Sequence, residues 1–149
     1  MPKSSVKRLI ECNKEQLIDL VLDIESYPLF IPYCLNSKIY EKKEREDIIS
    51  IIADLTIGKG PFKATYKSDV RYYKNSDTIY VTNIEGPLKR LDNKWIFLEK
   101  KNCTEIFFDI DFEIKNKFLN IVMSKSFQHG LDKIADSFQK RANDLFKGK

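Results

Sequence analysis

"TEIFFDIDFEI", residues 104–114, alternates: Ile106, Phe108, Ile110, Phe112 and Ile114 fall on one side, Glu105, Asp109, Asp111 and Glu113 on the other. A period of two is that of a β-strand, and one apolar side opposed to one charged side marks an antiparallel sheet that covers a core on a single face. Such a face needs a cover, and the chain supplies one directly afterwards. Leu119, Met123, Phe127, Leu131, Ile134, Phe138, Ala142 and Leu145 recur in steps of three or four with no proline, which predicts one long C-terminal helix with an apolar stripe.

Upstream, the same period of two runs from residue 35 to 115. "DIISIIADLTI" (47–57) puts Ile49, Ile51, Ala53, Leu55 and Ile57 on one face, and "PFKATYKSDVRY" (61–72) does so with Phe62, Ala64, Tyr66, Ser68, Val70 and Tyr72. "GKGPF" (58–62) opens a strand and not a helix, so it reads as a hairpin turn and not a phosphate loop. Glu85, Gly86 and Pro87 read as another turn. "SSVKRLIE" (4–11) is a short first strand. "NKEQLIDLVLDI" (13–24) is a helix capped by Asn13 with Gln16 as its reciprocal partner. Pro28 and Pro32 leave room for about one helical turn between them. The expected order is a strand, one or two short helices, about six antiparallel strands and a long helix gripped by the curved sheet, an α+β fold.

The 149 residues suffice for one core and are read as a single domain, 1–149. A composition of 42% hydrophobic and 32% charged residues is that of a globular chain. No apolar run approaches the roughly 18 residues of a membrane span, and the N-terminus lacks a secretory signal, so the expected location is cytoplasmic, with room for peripheral contact at the inner face of the plasma membrane. Cys12, Cys34 and Cys103 are odd in number and widely spaced, suggesting neither a disulfide framework nor a zinc site. The charge of +4 is interleaved along the chain; it permits an RNA or anionic-membrane partner and argues for neither.

A search for catalytic groups yields little. His129 is the only histidine and lies off the helix stripe. Asp109, Asp111 and Glu113 resemble a metal cluster, but acids normally stand on the wet face of a sheet and pair with lysines of adjacent strands. Gly130 inside the long helix costs about 1 kcal/mol relative to alanine. The string Lys115, Lys117, Lys125, Lys133, Lys140, Arg141, Lys147 and Lys149 is either a basic contact patch or a solvated helix face; aromatics do not interleave with it, so sequence-specific nucleic-acid recognition is not expected. What remains is apolar and flat. Packing in a core is the ordinary explanation for any one such residue, yet a curved sheet under one helix can enclose a cavity, and an empty one costs about 24 cal/mol per Å³.

"VLDIESYPLFIPYC" (21–34), "IEGPLKRLDNKWIF" (84–97) and "IDFEIKN" (110–116), followed by a helix ending "SFQKRANDLF", resemble the START-domain proteins of the polyketide cyclase-like, helix-grip superfamily. These include the coenzyme Q-binding proteins of bacteria and mitochondria and the bacterial ribosome association toxins. The resemblance covers nearly the whole chain. It implies a hydrophobic tunnel between sheet and helix, no catalytic residues and no catalytic cofactor. Tyr27, Pro28, Phe30, Pro32, Tyr33 and Cys34 match the opening motif; Gly86, Pro87, Leu91, Trp95 and Phe97 match the central one. Leu88 stands where an aromatic is usual. Asn93 stands where glycine is common, and its tolerance of a left-handed turn is expected to preserve a hairpin there.

The cavity wall is expected to comprise Phe30, Pro32, Tyr33, Leu55, Phe62, Tyr66, Trp95, Phe97, Phe108, Phe112, Met123, Phe127 and Leu131, with Tyr66 or Ser68 orienting a head group and Tyr27, Phe30, Ile31 and Tyr33 forming a proline-stiffened lid. The expected ligand is ubiquinone or another prenyl lipid, carried without catalysis for respiratory electron transport or quinone biosynthesis. Transient partners would be a membrane surface or the respiratory and biosynthetic enzymes. The alternative is a ribosome-associated regulator that blocks subunit association. A third, cyclase- or dehydratase-like reading would need an acid or base inside the cavity.

Overall fold

The computed structural model describes residues 3–59 and 62–146, with side chains described except at 3, 59, 62 and 118–130. The chain runs through β1 (Lys3–Ile10), α1 (Lys14–Leu22), a 3₁₀ turn (Ile24–Leu29), β2 (Cys34–Glu44), β3 (Ile48–Lys59), β4 (Phe62–Tyr73), β5 (Thr78–Glu85), β6 (Leu88–Lys100), β7 (Cys103–Ile114) and α2 (Lys117–Phe146). This is the expected order. The strands form one antiparallel sheet in the order β1-β7-β6-β5-β4-β3-β2, a meander from β2 to β7 with the first strand laid beside the last. The fold is the α+β helix grip, a curved sheet with a long C-terminal helix. Register shifts at 34/36, 39/41, 67/68 and 88/90 supply part of the curvature, because an extra residue on one strand bends it and increases its twist.

Local chemistry explains each junction. The Asn13 side chain accepts the amide of Gln16 at 2.8 Å while the Gln16 side chain accepts the amide of Asn13, so two otherwise unpaired donors at the start of α1 are satisfied. Lys14 then ties α1 to the β4–β5 turn through Asp77 at 3.0 Å. The helical segment begins earlier than expected, at Ile24, runs through Pro28 and closes between the two prolines. Pro28 has no N–H to place, and the amides of Phe30 and Ile31 both return to the carbonyl of Tyr27. Between β5 and β6, Gly86 has φ +133, and a Cβ there would stand 2.9 Å from the Thr65 carbonyl oxygen, so both backbone angle and space call for glycine.

The core lies between the inner sheet face and the helices. Val6, Ile10, Ile51, Ile79, Trp95, Phe97, Ile106 and Phe108 from the strands meet Leu17, Ile18 and Val21 of α1 and Leu131, Phe138 and Ala142 of α2. Burying each large side chain contributes roughly 1.5–3 kcal/mol. Two ties fasten the helix and the first strand. Arg8 reaches Asp136 at 3.1 Å on α2, and the fully buried Thr104 hydroxyl donates to the Cys12 carbonyl at 2.9 Å. On the outer face Asp111 pairs with Arg90 at 2.9 Å and Glu113 with Lys89 at 3.4 Å, the cross-strand ion pairing expected of wet-face acids. Phe62, Leu119, Met123, Lys125, Phe127, His129 and Gly130 lie outside the described side chains, as do Lys147 and Lys149.

Candidate functional site

Along the inner sheet face, burial changes from one end of the strands to the other. At one end the face is sealed by aromatic rings. Trp95 lies 4.3 Å from Phe108 and 5.2 Å from Phe138 between ring centroids, with Phe97 parallel to it at 6.3 Å. The indole N–H is satisfied by the Asn93 side-chain oxygen at 3.0 Å, and the Asn93 amide donates to the Asp109 carbonyl at 2.8 Å. Asn93 is therefore a buried strand residue, not the turn expected from its tolerance of left-handed backbone. Its amide links the indole to the neighbouring strand, a bridge that a glycine lacks the side chain to make. A gap under the helix here, between Trp95, Phe108, Val6, Ile134 and Phe138, is about 20 Å³, room for about one water.

Beyond this seal the inner face stays apolar while becoming half-buried. Leu55 and Tyr66 stand directly opposite each other on β3 and β4. Val81 and Ile110 flank Asn93 in register across β5, β6 and β7, and Leu91 lies one inward position further along. The pairing of β5 with β6 stops at Thr82, and Asn83 closes the end: its oxygen accepts the Leu91 amide at 2.9 Å and its amide donates to the Leu88 carbonyl at 3.2 Å. Ser68 is buried beside this wall.

The segment after α1 folds over the sealed end. Tyr27 and Phe30 meet Phe138 of α2 edge-on at 5.5 and 5.3 Å, and the Tyr27 hydroxyl donates to the Val21 carbonyl. The Arg141 guanidinium lies over the Phe30 ring at 5.3 Å, a favourable cation–π placement. The Ser37 hydroxyl donates to the Ile24 carbonyl at 2.7 Å, and the Glu25 carboxylate accepts the Ile39 amide at 2.9 Å, tying the turn to β2. Tyr33 has φ +65 and is 50% exposed, with Gly58 donating to its carbonyl at 2.9 Å. So Tyr27, Phe30 and Ile31 face the core, Pro32 is half-buried, and Tyr33 stands outside with Leu29 and Leu35, both exposed.

The expected wall residues thus separate. Leu55 and Tyr66 are half-buried on the inner face; Phe30 packs with Tyr27 on Phe138; Trp95, Phe97, Phe108, Phe112 and Leu131 are buried. Strand alternation names the face but not the depth. Val81, Leu91 and Ile110 sit on the wall by the same alternation and were not among the expected site residues.

Burial pushes the phenol of Tyr66 above its ordinary value, and pushes that of Tyr27 much further, aided by Asp23. Both are neutral donors near neutral pH. An acid whose folded pKa is raised stays protonated in the native state while the unfolded chain ionises. Stability is therefore retained below about pH 10 and falls above it, by about 1.4 kcal/mol per pH unit for Tyr27. In an alkaline titration of phenolate absorbance, Tyr27 and Tyr66 are expected to ionise after the exposed tyrosines and together with unfolding. A single step for all seven tyrosines with the circular dichroism unchanged would contradict this.

A hollow of about 450 Å³ lies elsewhere. Seven of its lining residues, Ser5, Tyr80, Thr82, Asp92, Lys94, Asp109 and Asp111, alternate with the inward set and so stand on the outer sheet face, and the row between them, Ser4, Ile110, Asn93 and Val81, completes the lining.

Residues 10–139 match the profile of the family described as polyketide cyclase / dehydrase and lipid transport. The ribosome association toxin RatA of Rickettsia prowazekii is 29% identical over 143 residues, covering 94% of this chain and 95% of that protein. The mitochondrial coenzyme Q-binding protein COQ10 of Dictyostelium discoideum is 31% identical over 134 residues, covering 88% of this chain and 64% of that protein. The solution structure of an 18 kDa protein from Caulobacter crescentus superposes with a TM-score of 0.80 at 26% identity, covering 97% of this chain and 98% of the other.

Proposed function

Because the chain belongs to the polyketide cyclase / dehydrase and lipid transport family, with its START-like helix-grip fold, we propose that it is a non-enzymatic carrier that holds a polyprenyl quinone, ubiquinone, against the inner sheet face. The observation that supports this is the apolar wall of Leu55, Tyr66, Val81, Leu91 and Ile110, which continues past the aromatic seal and is only half-buried. A prenyl chain laid on such a wall gains about 0.8 kcal/mol per CH₂-sized group, so affinity needs no conspicuous polar motif. The neutral Tyr66 hydroxyl is the proposed donor to a quinone oxygen. The inward amides Asn83 and Asn93 are spent on backbone and indole bonds, which supports binding over catalysis.

The proposed place of action is the cytosol, with delivery at a membrane surface, to which the exposed Leu29, Tyr33 and Leu35 beside the lid are suited. No helix among the described residues is long and apolar enough to cross a membrane.

A second reading is supported by the near full-length likeness to ribosome association toxins and by the exposed Lys115, Lys117, Lys133 and Lys140: binding to ribosomal subunits through a basic face. Mass spectrometry of an organic extract of the purified protein distinguishes the two. A prenyl quinone at near-stoichiometric yield is the expected result. Absence of any lipid, together with co-sedimentation with ribosomal subunits that weakens steeply as salt rises, would replace the carrier with the ribosome-binding regulator.

A further inference from the structure

We propose that the outer face of β1, β7, β6 and β5 is a docking surface for a second protein, engaged through a segment that alternates arginine or lysine with apolar side chains. It lies on the face opposite the ligand wall and stands whether or not that wall holds a lipid. Two observations carry it. The first is apolar surface where alternation leaves the solvent side: Leu9, 56% exposed, and Leu98, 44% exposed, stand on either side of Glu105, and the half-buried Phe107 and Ile96, side by side in the next row with the Lys7 ammonium over the Phe107 ring, separate them from Tyr80, 42% exposed. Single exposed apolar residues are unremarkable, but rows that adjoin one another mark an interaction surface.

The second is the charge of the adjoining hollow. Its volume of about 450 Å³ admits side chains, and three carboxylates line it. Arg90 holds Asp111 at 2.9 Å and Asp92 at 3.4 Å. Lys94, the register partner of Asp109, turns its ammonium over the Tyr80 ring at 5.5 Å, and among the described residues Asp109 makes no ion pair. A carboxylate is thus left facing an open hollow on a chain whose net charge is +4. Phosphate-bearing partners, whether nucleic acid or anionic lipid, are repelled by this arrangement, whereas a guanidinium or ammonium flanked by apolar residues complements both the hollow and the patch.

The test uses the purified full chain and a short fluorescent peptide alternating arginine and leucine, followed by anisotropy, with a glutamate–leucine peptide as comparison. The arginine–leucine peptide is expected to bind in a salt-sensitive way. Asp109→Asn and Leu98→Ser are each expected to weaken it about three- to tenfold, with circular dichroism and lipid retention unchanged, while Leu55→Glu on the inner wall leaves peptide binding intact. Equal binding of the glutamate–leucine peptide, no binding of the arginine–leucine peptide, or wild-type affinity in both outer-face variants would overturn the proposal. So would a dimer in sedimentation that Leu98→Ser dissociates, which would assign the face to a second copy of this chain.

Discussion

Replacing Phe138 with alanine is expected to lower the unfolding free energy by about 3–5 kcal/mol, the range for truncating a buried aromatic. The side chain is buried on α2 and, among the described residues, is the one ring that touches the sheet aromatic Trp95 and both aromatics of the segment after α1, Tyr27 and Phe30. Its loss opens a void among three rings, and neither β6 nor the segment after α1, which carry them, can collapse into it without giving up its own contacts. Against a typical domain stability of 5–15 kcal/mol this is a large fraction, corresponding to a fall in melting temperature of roughly 6–20 °C. Urea unfolding followed by the fluorescence of Trp95, the single tryptophan, reads it directly. The lid should loosen before the sheet does, seen as faster amide exchange at residues 24–33. A destabilisation under 1 kcal/mol would mean that the three contacts are not jointly held by this ring.

The second large effect is on ligand retention. Leu55→Glu is expected to reduce the prenyl quinone recovered with the protein at least tenfold while leaving the circular dichroism spectrum intact. Leu55 is half-buried, so the new carboxylate stays partly hydrated in the empty protein; a prenyl chain lying against it would strip that water, at a cost of several kcal/mol where about 1.4 kcal/mol already means tenfold. The same substitution at Trp95 or Phe108 would place the charge in the packed core and confound binding with folding. Leu55→Ala, which removes contact without adding charge, should lose only a few-fold. Unchanged quinone recovery from Leu55→Glu would move the ligand off this wall.

Much of the fold was legible because its signals are local. Asn13 and Gln16 announce a reciprocal cap, and the cap is there. The period of two over 104–114 names the inward set, and Ile106, Phe108 and Phe112 are buried. Long-range information is not carried by periodicity. Nothing in "NKWIF" distinguishes a turn asparagine from one whose amide meets an indole two residues along and a carbonyl on the adjacent strand. Likewise, Phe107 and Ile96 read as breaks in an otherwise polar side until register sets them side by side. The candidate wall was legible as a face and illegible as a depth: Leu55 and Phe97 both point inward, yet one is half-buried and the other nearly inaccessible, and a period of two carries no signal of what packs above each.

The seam between β1 and β7 joins nearly opposite ends of the chain; the Thr104 hydroxyl finds the Cys12 carbonyl 92 residues away in sequence. During synthesis at about 5–20 residues per second, the first strand therefore waits several seconds or more for its mate. Until then its backbone groups are without strand partners and Val6 and Ile10 are uncovered, an exposure that invites pairing with other chains.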